Sequence, residues 1–382
     1  MSRPRWRVTK PLRERIAAGH PWVYDRALEA ARLSAGDIVT LVDERGPLAT
    51  AFADPSSPIR ARVLDLDPDA SCDGAWARAR ASSAAARRAR DPLLAGCTGR
   101  RLVHGEADGC PGLVIDAYAD TAVVVYDGPA AARFWSARLA DVLDGLGDSI
   151  RHVWVRGDRK ERGGGEAARG NPPAEIVIAE DAARFAVDVR AGQKTGFFLD
   201  QRDNRRTIRT HAAGARVLNV FCYTGGFSLH AALGGATHVT SIDVAAPAIA
   251  AIAKNLELSK LPIDRHDRIA IDAFDFFEQA AARRERWDLV IVDPPSFAPS
   301  EKAKPAALKS YARLIELALT VTAPGGRFAL ASCSSHVGEA DLLALCARPG
   351  LRLRASAGAA SDHPVLPAFP EGRYLQFLLF DV

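Results

Sequence analysis

From about residue 185 onward, short apolar runs alternate with longer helix-patterned segments, and no other feature of this 382-residue chain constrains its fold more. Residues 216–221, 238–244, 268–271, 289–292 and 327–331 read as strands, and residues 228–233, 247–258, 273–284 and 306–321 read as the helices between them. Strands that lack a polar face need cover on both sides, and strands joined through a helix run parallel most simply. The expected fold class is therefore α/β, a Rossmann-like, mostly parallel sheet with helices on both faces. A last apolar run at 374–380 supplies a strand that need not be parallel.

The preceding half reads differently. Residues 1–73 hold short strand-like runs, such as 37–42 and 61–64, divided by Gly and Pro turns, which predicts a small β-rich domain. Residues 76–90 alternate Ala and Arg with almost no breaker, the pattern of an exposed helix or helical connector. Strand patterns at 113–116, 122–126 and 152–155, with a helix near 130–143, complete a central α+β domain over 74–184, leaving 185–382 as the third domain. Within 157–174, Gly163-Gly164-Gly165 and Pro172-Pro173 predict a flexible loop or hairpin tip.

No apolar run approaches the roughly 20 residues of a membrane span, and the Arg-rich first residues lack the apolar core of a secretory signal, so the expected location is the cytoplasm without membrane attachment. The six cysteines form no CxxC pair and do not alternate with His at zinc-ligand spacing, so neither a metal site nor a disulfide framework is expected. Net charge is only +4, and just eight of the 50 basic residues are Lys, a bias that tells little about partners. Local clustering tells more. Six basic residues against one acid fill the first fifteen positions, and a second basic stretch runs over 151–169. Such patches suit phosphate contact, although a solvated surface is the commoner use of any one of them.

The chemistry concentrates at strand ends. The first α/β strand runs into Asn219-Val220-Phe221-Cys222-Tyr223-Thr224-Gly225-Gly226-Phe227, where glycines allow close backbone approach to a ligand. The spacing is not G-x-G-x-x-G, so a dinucleotide is not favoured. Asp243 ends the second strand, about 20 residues on, where a carboxylate can accept both ribose hydroxyls of an adenosine. Asp272 follows the third strand and could accept from an adenine amino group, or simply cap the next helix. The fourth strand ends in Asp293-Pro294-Pro295-Ser296-Phe297. Four features on four successive strand ends coincide where open α/β sheets bind ligands.

These residues resemble class I methyltransferases and, more narrowly, the bacterial large-subunit ribosomal RNA 5-methylcytosine methyltransferases. The run Gln193-Lys194-Thr195-Gly196-Phe197-Phe198-Leu199-Asp200-Gln201-Arg202 is similar to a stretch that in those enzymes closes over the cofactor. Gly19-His20-Pro21-Trp22-Val23 is similar to the start of their PUA-type RNA-binding domain, and Gly112-Leu113-Val114-Ile115-Asp116 to their central domain. Asp362-His363-Pro364-Val365 and Pro370-Glu371-Gly372-Arg373-Tyr374-Leu375 match as well. The resemblance implies S-adenosylmethionine as cofactor and ribosomal RNA as partner, with a homodimer open to it and no interface marked. It implies a cofactor site of Lys194, Thr195, Gly196, Phe197, Asp200, Arg202, Asn219, Phe221, Tyr223, Thr224, Gly225, Asp243, Asp272 and Asp293.

Carbon 5 of a pyrimidine is a poor nucleophile, and enzymes that methylate it resemble one another in adding a Cys thiolate to carbon 6. Cys333, in Ala331-Ser332-Cys333-Ser334-Ser335 after the fifth strand, is the candidate, whereas an isolated buried Cys is more often core. Cys222 competes but sits in the cofactor turn. Many RNA cytosine-5 methyltransferases carry a second Cys after the Pro of the fourth-strand motif; here that position is Ser296. Asp293 then falls to holding the cytosine amino group or ring nitrogen, and Phe297 stacks on a flipped base or packs in the core. Two other readings compete. One is methylation of an exocyclic or ring nitrogen of a purine in RNA, for which an Asp-Pro-Pro-Ser-Phe loop is not far from the [Asp or Asn]-Pro-Pro-aromatic form and no thiol is needed. The other is a non-catalytic RNA-binding assembly factor.

Overall fold

The computed structural model describes residues 3–157, 164–298 and 300–382. They form two compact units, one taking the chain up to Ile178 together with Val187–Leu199 and Ser361–Gly372, the other Ala179–Ala186, Asp200–Ala360 and Arg373–Val382.

In the second unit the expected alternation becomes β1 (Arg216–Val220), α1 (Gly226–Leu233), β2 (His238–Asp243), α2 (Ala246–Leu258), β3 (His266–Ala270), α3 (Ala273–Ala282), β4 (Trp287–Val292), α4 (Lys304–Val321), β5 (Thr322–Ser332), α5 (Glu339–Leu345), β6 (Arg352–Ala357) and β7 (Gln376–Asp381). The sheet order is β3-β2-β1-β4-β5-β7-β6. The first five strands in that order are parallel, and β7 runs antiparallel to both β5 and β6. Period-two alternation splits the inner strands between two cores. On β4, Leu289 and Ile291 join Val217, Ala329 and Ala331 against Ile208, Phe227 and Ala231. Val290 and Val292 join Leu218, Val220 and Leu330 against Phe276 and Phe277 of α3 and Leu314 and Ile315 of α4. Register then aligns the strand ends, with Val220 opposite both Ile242 and Val292, and Val292 opposite Leu330. The order reverses at β1, which has β2 on one side and β4 on the other, so the loops after β1 and β4 part there and open a crevice at the carboxyl edge.

The first unit contains two five-stranded sheets. In one, Arg5–Arg7, Ile38–Asp43, Gly46–Ala53, Ile59–Asp65 and Trp22–Tyr24 lie side by side in that order, only the first pair parallel. In the other the order is Gly165–Arg169, His152–Arg156, Thr121–Tyr126, Leu113–Tyr118 and Gly99–His104. The Gly- and Pro-rich stretch thus carries a paired strand, Gly165–Arg169; Gly163, with Arg159, Lys160 and Arg162, lies outside the described residues. The Ala/Arg segment is a helix, Gly74–Ala89, capped by Asp73, but it is not the exposed connector its composition suggests. Ala77, Ala81 and Ala84 line one buried face and share a core with Phe52, Leu64, Leu113 and Ile115. Side chains this small let the backbone approach closely, and the Arg residues take the solvent side. Arg88 is the exception, buried and paired with Asp108 at 2.7 Å. Among the described residues no helix is long and apolar enough to cross a membrane.

Candidate active site

The turn after β1 is held in a shape that ordinary residues resist. Phe221, Tyr223 and Gly225 all have positive φ, at 61°, 47° and 86°. For the two non-glycine residues this costs on the order of 1 kcal/mol each, so the surroundings must impose it. They do so through the backbone. The Cys222 N–H donates to Ile242 O at 2.9 Å, and the Tyr223 N–H to Asp243 Oδ2 at 2.9 Å. Asn255 of α2, fully buried, donates to Thr224 O at 2.9 Å and accepts the Ala186 N–H at 2.8 Å. A Cβ at Gly225 would lie 3.1 Å from Ile252, so glycine serves both conformation and space.

Asp243 at the end of β2 therefore both shapes the turn and, through Oδ1, accepts the Ala245 N–H at 2.9 Å. A carboxylate has about four lone-pair sites, which leaves acceptor capacity toward a diol. Thr224 Oγ1 is buried with no hydrogen-bond partner among the described residues, an orphan that a polar ligand would satisfy. Strained turn, acid and orphaned hydroxyl fit an adenosyl ligand; Asp243, Tyr223, Thr224 and Gly225 are the residues that could hold one. Asn219 is fully buried beneath the turn, donating to Ser228 Oγ at 2.8 Å, with Ser228 bonded to Ser241 at 2.7 Å. Asp272 is exposed and caps α3, accepting from the Phe274 and Asp275 N–H groups.

Across the switch point the loop after β4 and the turn after β5 are sewn together by hydroxyls. The Ser334 hydroxyl accepts the Phe297 N–H at 3.2 Å and the Ser296 hydroxyl at 3.3 Å. Behind it Tyr311 of α4, fully buried, bonds Ser332 at 2.7 Å and Ser334 at 3.2 Å, and its ring meets Phe297 edge-on. Burial raises the Tyr311 hydroxyl above its ordinary range, and negative charge at Cys333 and Asp293 adds to the rise. Cys333 lies between Ser332 and Ser334, and of the six cysteines it alone is partly exposed. Burial pushes four of the others away from reactivity, Cys346 to about 11, Cys72 to about 12, and Cys110 and Cys222 well upward, with Asp243 contributing at Cys222. Asp293 is half-buried and accepts from Gln201 Nε2 at 3.0 Å.

The upstream signature divides between the units. Lys194, Thr195, Gly196 and Phe197 belong to the first. There the Phe197 N–H donates to Tyr118 Oη at 3.2 Å, Tyr118 bonds Thr195 at 2.7 Å, and Thr195 donates to Asp116 at 2.5 Å. Lys194 sits over the Phe198 ring at 4.6 Å. Asp200 and Arg202 belong to the second unit, Asp200 accepting the Tyr374 hydroxyl at 2.7 Å and Arg202 lying fully buried beside Asp203.

The basic patches are partly committed to folding. Arg3 donates to Pro68 O and Ala70 O, Arg13 pairs with Asp43, and Arg156 holds Gly192 O at 2.7 Å. Arg5, Arg7, Lys10 and Arg15 are exposed. Gln201, Asn204, Tyr311, Ser332 and Ser334 were not singled out from sequence. Gln201 lies inside the Gln193–Arg202 run and the two serines flank Cys333, whereas Tyr311 carries no signal beyond an apolar helix face.

A doubly wound sheet with this turn and this acid at its switch point defines a methyltransferase-class nucleoside site, and comparison with known proteins agrees. Residues 146–380 match the S-adenosylmethionine-dependent methyltransferase family and residues 7–66 a PUA-like domain. A ribosomal RNA large subunit methyltransferase of Deinococcus radiodurans is 39% identical over 402 residues, covering 99% of this chain and 98% of that one. A ribosomal RNA large subunit methyltransferase I of Photobacterium profundum is 35% identical, covering 96% and 95%. A solved structure described as a methyltransferase complexed with S-adenosylhomocysteine matches over 99% of this chain and 100% of its own, with TM-score 0.88 at 22% identity, a likeness of fold. The chain belongs to the S-adenosylmethionine-dependent methyltransferases with an amino-terminal PUA-like domain, in the family of the ribosomal RNA large-subunit methyltransferases. Its cofactor is S-adenosylmethionine.

Proposed function

We propose that this chain methylates carbon 5 of a cytosine in large-subunit ribosomal RNA through a transient bond from Cys333 Sγ to carbon 6. The observation that carries this reading is the placement of Cys333, the one partly exposed thiol, directly after β5 and tied through Ser334 to the Asp293 loop. The thiolate's lone pair forms a carbon–sulfur bond at carbon 6, and the π pair of the 5,6 double bond shifts toward carbon 5, leaving a single bond there. S-adenosylmethionine, when bound, supplies an electrophilic methyl group to that carbon. Loss of the carbon 5 proton to a base then lets the electron pair re-form the double bond and expel the thiolate. Asp293 holds the amino edge of the ring while Cys333 reacts. RNA as the substrate class rests on the names of the relatives and on the PUA-like match.

Cys333→Ala is expected to lower methylation by at least about 10³-fold, as removal of a nucleophile does, with S-adenosylmethionine affinity by calorimetry unchanged. Near wild-type product formation would instead favour nitrogen methylation gripped by the Asp-Pro-Pro-Ser-Phe loop. We assign RNA contact to the PUA-like part, taking 1–73, 74–184 and 185–382 as PUA-like, central and catalytic parts. Replacing Arg5, Arg7, Lys10 and Arg15 by Ala should flatten the dependence of log affinity on log salt by about 0.7–0.9 per lost phosphate contact. An unchanged slope would remove that patch from the RNA path.

A further inference from the structure

Asp293 is not oriented by its own loop alone. Gln201, 3% exposed, donates from Nε2 to Asp293 Oδ2 at 3.0 Å. Asn204, 1% exposed and on the helix Arg202–Thr210, donates from Nδ2 both to Gln201 Oε1 at 2.6 Å and to Gly358 O at 3.0 Å. The polarity of this relay is fixed at its far end. A backbone carbonyl can only accept, so the Asn204 atom facing Gly358 must be the NH₂ group. The same NH₂ faces Gln201, which must therefore present its carbonyl oxygen to Asn204. The NH₂ group of Gln201 is then the end left for Asp293. The Gln201 amide can only donate to Asp293, so it fixes Oδ2 as an acceptor.

An acceptor at the reacting ring discriminates between pyrimidines. Cytosine carries an amino group at carbon 4, which donates; uracil carries a carbonyl there, which would face the carboxylate with one acceptor against another. We infer that Gln201, itself polarised by Asn204 and the Gly358 carbonyl, is a positioning residue that presents Asp293 as an acceptor and so selects cytosine over uracil. The inference rests on the cytosine reading proposed above and adds to it a source of base selectivity outside the strand-end motifs. The end of the signature and the helix that follows it are thereby part of the substrate site, acting through Asp293 and not by touching the base.

The test uses the full chain with matched synthetic RNAs carrying cytosine or uracil at the target. A hydrogen bond to a charged group contributes about 1.5–3 kcal/mol, equivalent to about 10- to 150-fold in rate. Gln201→Leu should lower kcat/KM on the cytosine RNA by that factor and shrink the cytosine-over-uracil ratio by a similar one, with S-adenosylmethionine affinity unchanged. Gln201→Glu, which keeps the packing and sets a second carboxylate beside Asp293, should reduce the cytosine rate in the same direction. Asn204→Asp, which reverses the polarity of the relay without touching Asp293, should do so as well. A cytosine-over-uracil ratio at the wild-type value in Gln201→Leu and Gln201→Glu, whatever their absolute rates, would overturn the inference. If the wild-type protein instead yields no 5-methylcytosine on the cytosine RNA, the underlying reading has failed, and the two failures remain distinct.

Discussion

The two halves of the carboxyl edge are built from different materials. On the side of β1 and β2 the work is done by backbone: three positive-φ residues in a row of five, N–H groups donating to Asp243 and Ile242 O, and a buried Asn255 gripping Thr224 O. On the side of β4 and β5 it is done by side-chain hydroxyls and amides: Tyr311, Ser332, Ser334, Ser296 and Gln201. A cofactor common to many substrates needs one rigid receptor, and on the proposed reading the backbone turn supplies it. A particular base needs directed donors and acceptors around a nucleophile, and on the proposed reading side chains from several elements supply those. The first half should therefore fail through binding and the second through turnover.

That contrast can be broken experimentally. The largest separation is expected from Asp243→Ala, which removes the acceptor of the Tyr223 and Ala245 N–H groups and the acid proposed for the ribose. Affinity for S-adenosylmethionine should weaken about 100-fold or more by calorimetry. Unchanged affinity would show that the backbone turn alone is the receptor. Tyr311→Phe keeps the ring against Phe297 but removes the bonds to Ser332 and Ser334. We expect about a tenfold fall in kcat, cofactor affinity intact, and about 1 kcal/mol lost from stability. A fall in cofactor affinity instead would erase the division between the halves. Ser296→Ala, an exposed residue with one 3.3 Å bond, should change kcat by less than about threefold. A larger loss would give the hydroxyl a part in product release.

The same contrast explains what could be read from the chain. Strand and helix segments of the α/β part were legible because strands buried on both faces leave uninterrupted apolar runs, and Tyr374–Phe380 became the antiparallel β7 that its position allowed. Strand β6 was not legible: Arg352–Ala357 lies at the sheet edge with nearly every side chain exposed, so it carries no alternation. Helix α5 buries only Leu342 and has as little pattern. The Ala/Arg helix was found, but its burial was hidden because alanine is at home on either side of a helix. At the site, the turn and the strand-end acids stood out because they follow strands in sequence. Tyr311 and Asn204 reach the site from helices whose periodicity only announces a buried face, and Gln201's role depends on a carbonyl 157 residues away, at Gly358. Pairings of that kind are made by the fold and leave no mark in local sequence.

The proposed bond from Cys333 Sγ to carbon 6 of the cytosine is tested directly by trapping. RNA carrying 5-fluorocytidine at the target cannot lose a proton from carbon 5, so an enzyme that adds a thiolate to carbon 6 is arrested after methylation. Intact mass measurement of the protein with this RNA and S-adenosylmethionine should show a covalent complex in the wild type and in Cys222→Ala, mapping to the peptide that contains Cys333, and none in Cys333→Ala. A complex that persists in Cys333→Ala, or a wild-type enzyme that methylates the matched cytidine RNA yet forms no complex with the fluorinated one, would contradict the account.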